Sequence, residues 1–393
     1  MRNIIITGGE LFNKGAQAMT FIAVHEMKVR FPDHAVYVLS EMDLERPREE
    51  RERYAFDFTG WYPVKFAKAQ RNPLLRLLCR IRSGAELAQA EALYKNCDAM
   101  VDISGYALGS NWSVKNNARY LNHLEFARAF KIPVYLMPQS FGPFAFGEEH
   151  PGIDARCREL LPNCRKILAR EQEGYDALTA AYDLKNVSLA PDLVLNNRGI
   201  DLNHIFREVP ELTIPEIVQG SIAVIPNGRN LSVGREEPVL ELYRKAIRRG
   251  LEQGKTVYLL HHATSDKKIC VQLKEAFPED GRVVLPEQEF SCLEFNELVK
   301  QFDYLVASRF HSIVHAFKNG IPCIALGWAK KYEDLLGRFG QGAYLLDVRN
   351  EPDAQALEAA MDRLNACRTD EAETILSHLA DVQQNNVFDV VTL

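Results

Sequence analysis

Short β-branched runs recur along this chain, and each is followed by a stretch with helical periodicity. Parallel strands need long crossover connections, so this alternation commits the chain to parallel sheets with helices packed on their faces. The first half places strands over 3–7, 35–40, 98–104, 133–137, 166–169 and 187–190, with helices over 14–30, 116–130, 154–161 and 172–182. The second half repeats the scheme, with strands over 221–225, 256–261, 282–285, 304–307, 322–326 and 344–346. Its helices are expected over 239–253, 267–277, 292–301, 311–318 and 332–339. Between the halves, over 196–219, the rhythm breaks into polar residues with Pro210 and Pro215. The expected fold class is therefore α/β: two doubly wound, Rossmann-like domains facing each other across a cleft, a GT-B-like architecture. The expected bounds are 1–198 for the first domain, 199–219 for a linker, 220–370 for the second domain and 371–393 for a C-terminal helix returning to the first.

Composition narrows the partners. A chain of 393 residues with 47% hydrophobic residues can bury two cores without staples. Its formal charge of −6 argues against a nucleic-acid partner, so any anion site must be built locally from a few cations and backbone amides. The eight cysteines are scattered, none in a C-x-x-C pair, which reads as reduced thiols in a reducing compartment. The start runs directly from a strand into Gly8-Gly9, unlike a signal peptide, and no apolar run is long enough to cross a bilayer. A cytoplasmic protein is expected. One stretch, 65–82, sets Lys65, Lys68, Arg71, Arg76, Arg80 and Arg82 around Leu74, Leu75, Leu77, Leu78 and Ile81. It fits a basic amphipathic helix in peripheral contact with an anionic membrane face, and equally an ordinary surface helix with its apolar stripe on the core.

The segment over 305–326, LVASRFHSIVHAFKNGIPCIAL, carries the sharpest chemistry. A strand ends at Ala307, a helix follows Ser308-Arg309, and the free amides of a helix start favour an anion there. Ser308, Arg309 and His311 add a hydroxyl, a planar cation and an imidazole within one turn. His315 gives an H-x-x-x-H spacing, but without the adjacent Glu of H-E-x-x-H no metal site is expected. Arg170 follows the strand over 166–169, and a cleft could bring it onto the same dianion as Arg309, although pairing with Glu171 or Glu173 is the alternative. Lys331 opens one more helix as an extra cation. Further strand-end groups are Asp102 in VDISGYALG, Gln139 in MPQSFGPF and His261-His262 in YLLHHATSD. Asp192 follows the last strand of the first half and is expected to fix the hinge loop. At the N-terminus, TGGELFNKGAQAM is a glycine-bearing turn, neither a Walker loop nor G-x-G-x-x-G, with Asn13 and Gln17 as polar contacts.

Together these stretches resemble the polysaccharide pyruvyl transferase family, most specifically in SRFHSIVHAFKNGIPCIALGWAKKYEDLL. The resemblance implies a GT-B fold and transfer of a pyruvyl group from phosphoenolpyruvate to a sugar as a cyclic ketal, with no cofactor. It implies that the second domain is the donor side, where Arg309 binds the donor and His311 is catalytic, and that Arg170 of the first domain is a second basic residue. Ser308 and Lys331 are expected beside the donor, and Asp102 as a base or acceptor clamp. The first domain is then the acceptor side, and Asn13, Gln17, Gln139, His261 and His262 are the expected contacts for a sugar acceptor, free or polyprenyl-diphosphate-linked. The chain departs from the family at Gly15-Ala16-Gln17, where many members have Gly-Asp after the Asn. Two rival readings of the same residues are a glycosyltransferase using a nucleotide sugar, and a non-catalytic glycan- or anion-binding protein.

Overall fold

The computed structural model describes residues 1–60, 62, 73–349 and 353–393. The first sheet holds β1 (Asn3–Thr7), β2 (Ala35–Leu39), β3 (Asp57–Thr59), β4 (Cys97–Asp102), β5 (Tyr106–Leu108), β6 (Val134–Phe141), β7 (Lys166–Ala169) and β8 (Val187–Leu189). The second holds β9 (Ile222–Ile225), β10 (Val257–Leu259), β11 (Val283–Val284), β12 (Leu305–Ala307), β13 (Cys323–Gly327) and β14 (Leu345–Asp347). Strand order is β3-β2-β1-β4-β6-β7-β8 in one sheet, with β5 paired to β6, and β11-β10-β9-β12-β13-β14 in the other. The described pairings within both sheets are parallel, for example Leu305 opposite Ala223 and Ile4 opposite Ala99.

The strands look continuously apolar because both sheet faces are covered. Along β1, Ile4 and Ile6 enter one apolar cluster and Ile5 the other, as a period of two requires. The first of those clusters runs without interruption through the Lys14–Arg30 helix into the second sheet. The two lobes thus share a core as well as a cleft.

In each sheet the winding direction reverses once, between β1 and β4 in the first lobe and between β9 and β12 in the second. A crevice opens outside the carboxyl ends of the strands at such a point, where α/β proteins bind ligands. Both switch points matter below.

Several elements lay outside what periodicity reveals. β3 and β5 are three residues each, too short to show alternation. The C-terminal helix spans Ala354–Val382, longer than the expected 371–393 element, with a break in helical geometry at Cys367. Its first part packs on the second lobe through Leu357, Met361 and Leu364. The chain then returns to the first lobe: Asn196 donates to the carbonyls of Val382 and Asn385, and Tyr135 donates to that of Thr392 (2.8, 2.7 and 2.7 Å).

Of the basic stretch, 65–72 lies outside the described residues. The helix Pro73–Lys95 follows, and Leu74, Leu77 and Ile81 stand exposed on it. No described helix is long and apolar enough to cross a membrane. Cys97, Cys157, Cys164 and Cys270 are buried, and burial pushes each thiol up to about 12, so they are inert at physiological pH.

Candidate active site

β12 delivers the decisive turn. Its three apolar residues are clamped between β9 and β13, and the chain leaves the sheet at the second lobe's switch point through Ser308 and Arg309 into the helix Phe310–Lys318. Ser308 fixes this turn from inside. Its hydroxyl pairs with Tyr243 Oη at 2.6 Å, and its carbonyl accepts from Asn227 Nδ2 and Tyr332 Oη. Expected at the donor, Ser308 is instead wholly buried, so its hydroxyl shapes the turn and does not reach a ligand.

Arg309 lies at the helix start and is held by the buried carboxylate of Asp266, from Nε at 2.6 Å and Nη2 at 2.8 Å. A bidentate pair fixes the plane of the guanidinium and leaves Nη1 for another acceptor. Phe310, which the sequence analysis does not single out, is the ring on which cations from both lobes meet. Arg170 of the first lobe lies 4.3 Å from its centroid, and Lys331 of the second lies 5.3 Å from it. Lys331 makes no hydrogen bond to a carboxylate among the described residues. Burial first, then the positive fields of Arg170 and Arg309, pushes its ammonium down to about 8, with Glu171 opposing. Three cations thus crowd one point where the lobes meet.

Arg170 is more tightly bound than a free ligand-gripping arginine. It donates from Nε to Glu171 (3.0 Å), from Nη1 to Asp192 (2.9 Å), and from Nη2 to Ser140 Oγ (2.8 Å) and the Gly105 carbonyl (3.3 Å). The Glu171 pairing weighed from sequence is present, together with a partner not foreseen. Asp192, expected only to fix the hinge loop, does cap the Leu193–Asn196 turn through Val194 N, but its other oxygen joins the site. Its Oδ2 lies 3.6 Å from Nε2 of His311. Burial alone would raise this carboxyl; the His311 contact and Arg170 outweigh it and hold it well below the usual range.

The other edge of the His311 ring meets the first lobe at Gly15. A Cβ there would fall 2.4 Å from His311 Nδ1, so glycine is the residue that lets this helix start approach the imidazole. His262 stacks behind His311, with centroids 6.5 Å apart and planes 14° apart. His315 turns away to Asn296 Oδ1. Among the described residues no group of three or more His, Cys, Asp or Glu is arranged to hold a metal.

The residues nominated for the acceptor separate. Asn13 caps the Lys14–Arg30 helix, accepting from Gly15 N and Ala16 N, and bridges to Ala263 of the second lobe. Gln17 Oε1 accepts from Cys292 N, also across the lobes. His261 is buried with Nε2 2.6 Å from Glu289, and His262 is buried behind His311. Asn13 and Gln17 thus join the lobes, whereas the His261 ring is spent on Glu289 within the second lobe and the His262 ring is packed among Phe295, His311 and His315. Gln139, also buried, donates to Asp102 at 2.8 Å. Asp102 accepts as well from Thr7 Oγ1, Ser104 Oγ and Tyr120 Oη. Burial raises its pKa and those bonds oppose the rise, giving a carboxylate with base strength but no free oxygen.

A sequence model of the polysaccharide pyruvyl transferase family matches residues 13–330, a span that contains Arg170, Asp192, Arg309, His311 and all but the last residue of the cationic cluster. The chain belongs to the polysaccharide pyruvyl transferase family. No curated protein matches the sequence. Solved structures share the fold at low identity. The UDP-GlcNAc 2-epimerase of Methanocaldococcus jannaschii is 12% identical with a TM-score of 0.56, covering 92% of each chain. The S. aureus MnaA–UDP complex is 10% identical with a TM-score of 0.57, covering 99% of this chain and 94% of that one. The glycosyltransferase of kitacinnamycin is 12% identical with a TM-score of 0.57, covering 98% and 96%. The two-lobed GT-B architecture of this pyruvyl transferase family member is therefore shared with both epimerases and glycosyltransferases, and the fold alone does not select a donor.

Proposed function

We propose that the protein transfers the pyruvyl group of phosphoenolpyruvate to two hydroxyls of one sugar in a polysaccharide repeat or its lipid-linked precursor, forming a cyclic ketal and releasing phosphate. The observation that carries this reading is the crowding of Arg170, Arg309 and Lys331 beside His311 at the lobe boundary. Cations from both lobes that face one point suit a compact ligand bearing a carboxylate and a phosphate, and phosphoenolpyruvate bears both.

His311 gives a proton to C3 of the donor while the first sugar hydroxyl bonds to C2. That hydroxyl's proton passes to Asp102 by way of Ser104, whose Oγ already donates to the carboxylate at 2.9 Å. The C2–O bond to phosphate then breaks with its electron pair, leaving an oxocarbenium-like centre. The second hydroxyl closes the ketal and returns a proton to His311. One hydroxyl proton ends in the new methyl group and the other leaves with phosphate. Asp192, ionised, lies where it can orient the imidazole and balance its charge. No step calls for a cofactor.

The test is incubation with phosphoenolpyruvate and polyprenyl-diphosphate or aryl glycosides, following phosphate release. Stabilisation by UDP or UDP-sugars with none by phosphoenolpyruvate would replace this reading with nucleotide-sugar chemistry, which the UDP-bound fold relative makes the natural control.

Lys331 gives the donor site a pH signature. Its charge is present below about 8 and lost above it, so the KM for phosphoenolpyruvate is expected to rise as pH passes from 8 to 10. Lys331→Arg keeps the charge and should flatten that rise. An unchanged profile in the variant would remove Lys331 from donor binding.

The exposed Leu74, Leu77 and Ile81 suit contact between the Pro73–Lys95 helix and an anionic membrane face, which would bring a lipid-linked acceptor to the enzyme. Co-sedimentation with phosphatidylglycerol vesicles, weakened by Leu77→Glu and by salt, is the expected result. Equal pelleting with neutral vesicles would count against it.

A further inference from the structure

A cavity lies in the first lobe, one turn of chain away from the cationic cluster. It occupies that lobe's switch point, opening where β1 and β4 end, and measures about 270 Å³. Glu10, Asp102, Ser104, Tyr106, Trp112 and His123 are among its walls. Asn13, Gln17, His261 and His262 are not, and Gln139 stands behind Asp102. Gly8 makes the floor possible: its φ is +74°, and a Cβ there would meet Ser104 Oγ at 2.2 Å.

Three properties define what fits. Volume comes first: pockets for drug-sized ligands start near roughly 300 Å³, so this one holds a single ring, and any longer glycan would extend from its open mouth. The second is an aromatic wall. Trp112 and Tyr106 lie with ring centroids 5.4 Å apart, and Tyr106 Oη is tied to the Gly142 carbonyl, so its ring and not its hydroxyl is offered. The third is unmet hydrogen bonding. Trp112 Nε1 and His123 Nδ1 are buried polar atoms without a partner among the described residues, which proteins rarely leave so. Burial pushes His123 down to about 4, so its ring is neutral at physiological pH. Glu10 supplies an acceptor for hydroxyl donors, and together with the buried charge of Asp102 behind Ser104 it disfavours a dianion, while Arg119 is the cation on the same wall.

The cavity also abuts the cationic cluster. Ser104 and Asp102 form part of its wall, and the next carbonyl, Gly105, accepts from Arg170 Nη2. A ligand in the cavity and a dianion beside Arg170 would sit on two sides of one turn.

We propose that this cavity is the subsite for one neutral hexopyranose ring, whose apolar face packs on Trp112 and whose hydroxyls satisfy Trp112 Nε1, His123 Nδ1, Ser104 and Glu10. The role as acceptor subsite rests on the pyruvyl-transfer reading; the binding itself does not, and the test separates them. Saturation-transfer NMR on the full chain, without donor, uses methyl β-galactopyranoside, methyl β-mannopyranoside and methyl β-glucuronide at millimolar concentration. Transfer to ring protons of a neutral glycoside is expected, undiminished by phosphoenolpyruvate. Trp112→Ala should weaken it about tenfold, and Trp112→Phe, which keeps the platform and the fold but removes the N–H, should weaken it about threefold. His311→Asn should leave it unchanged. No transfer from either neutral glycoside, preference for the glucuronide, competition by phosphoenolpyruvate, or full signal in Trp112→Ala would each overturn the subsite. Sugar binding without phosphoenolpyruvate binding would instead leave the subsite standing and remove the proposed donor.

Discussion

His311→Asn is expected to lower kcat by about 10²–10⁴-fold, with the affinity for phosphoenolpyruvate changed only a few-fold. Asparagine approximates the breadth of the ring and stays polar beside Asp192, 3.6 Å from the imidazole, but it cannot deliver a proton to C3. The cations that hold the donor are left intact, because Arg309 is fixed by Asp266 and Lys331 by its packing against Phe310 and Tyr332. A split between kcat and donor affinity therefore distinguishes lost acid catalysis from a collapsed site. Stopped-flow phosphate release under saturating donor measures the first quantity, and calorimetric titration the second. Turnover within threefold of the unaltered protein would end His311's role as the acid.

Arg170→Met is expected to cost about 3–5 kcal/mol of stability, because it strands two buried carboxylates. Glu171 and Asp192 are 5% and 3% exposed, and each is paired with this guanidinium at 3.0 and 2.9 Å. Methionine fills the space beside Phe310 but satisfies neither charge. The pH dependence has a definite sign. Asp192 has a folded pKa held below its ordinary value near 3.8, so its contribution is complete above that value and fades as pH falls below it. In the variant the stranded carboxylates are relieved by protonation, so its deficit should be largest near neutrality and narrow toward pH 4. Urea unfolding of both proteins at pH 7 and pH 4 checks both statements. A deficit below 1 kcal/mol, or one that widens in acid, would mean that the lobe boundary is not organised around this ion cluster.

Much of the architecture was legible because its signals are local. A run such as Asn3–Thr7 followed by a helix from Lys14 declares a strand, a turn and a crossover without reference to anything distant. The R-x-H helix start after β12 and the arginine after β7 could be placed at strand ends for the same reason. The three-residue strands β3 and β5 were not legible, since three residues cannot show a period. For the first-lobe cavity the available signal was the mixture of aromatic and small polar residues over 104–112, SGYALGSNW, directly after a strand end. No cavity can be read from it, because nothing within it shows what its side chains surround.

The sequence by itself determined two wound sheets, the break between them, and which residue types stand at their carboxyl edges. Only the tertiary structure decided what those residues do. Ser308 and Arg309 are neighbours, yet one turns into the lobe against Tyr243 and the other outward to Asp266. Asn13 and Gln17, polar and well placed, are consumed in joining the lobes, while Phe310 and Asp192 become the centre of the ion cluster. Secondary structure follows from the spacing of neighbours along the chain. The partner of a buried charge or a strand-end hydroxyl is set by the packing of segments distant in sequence, and no local pattern encodes that.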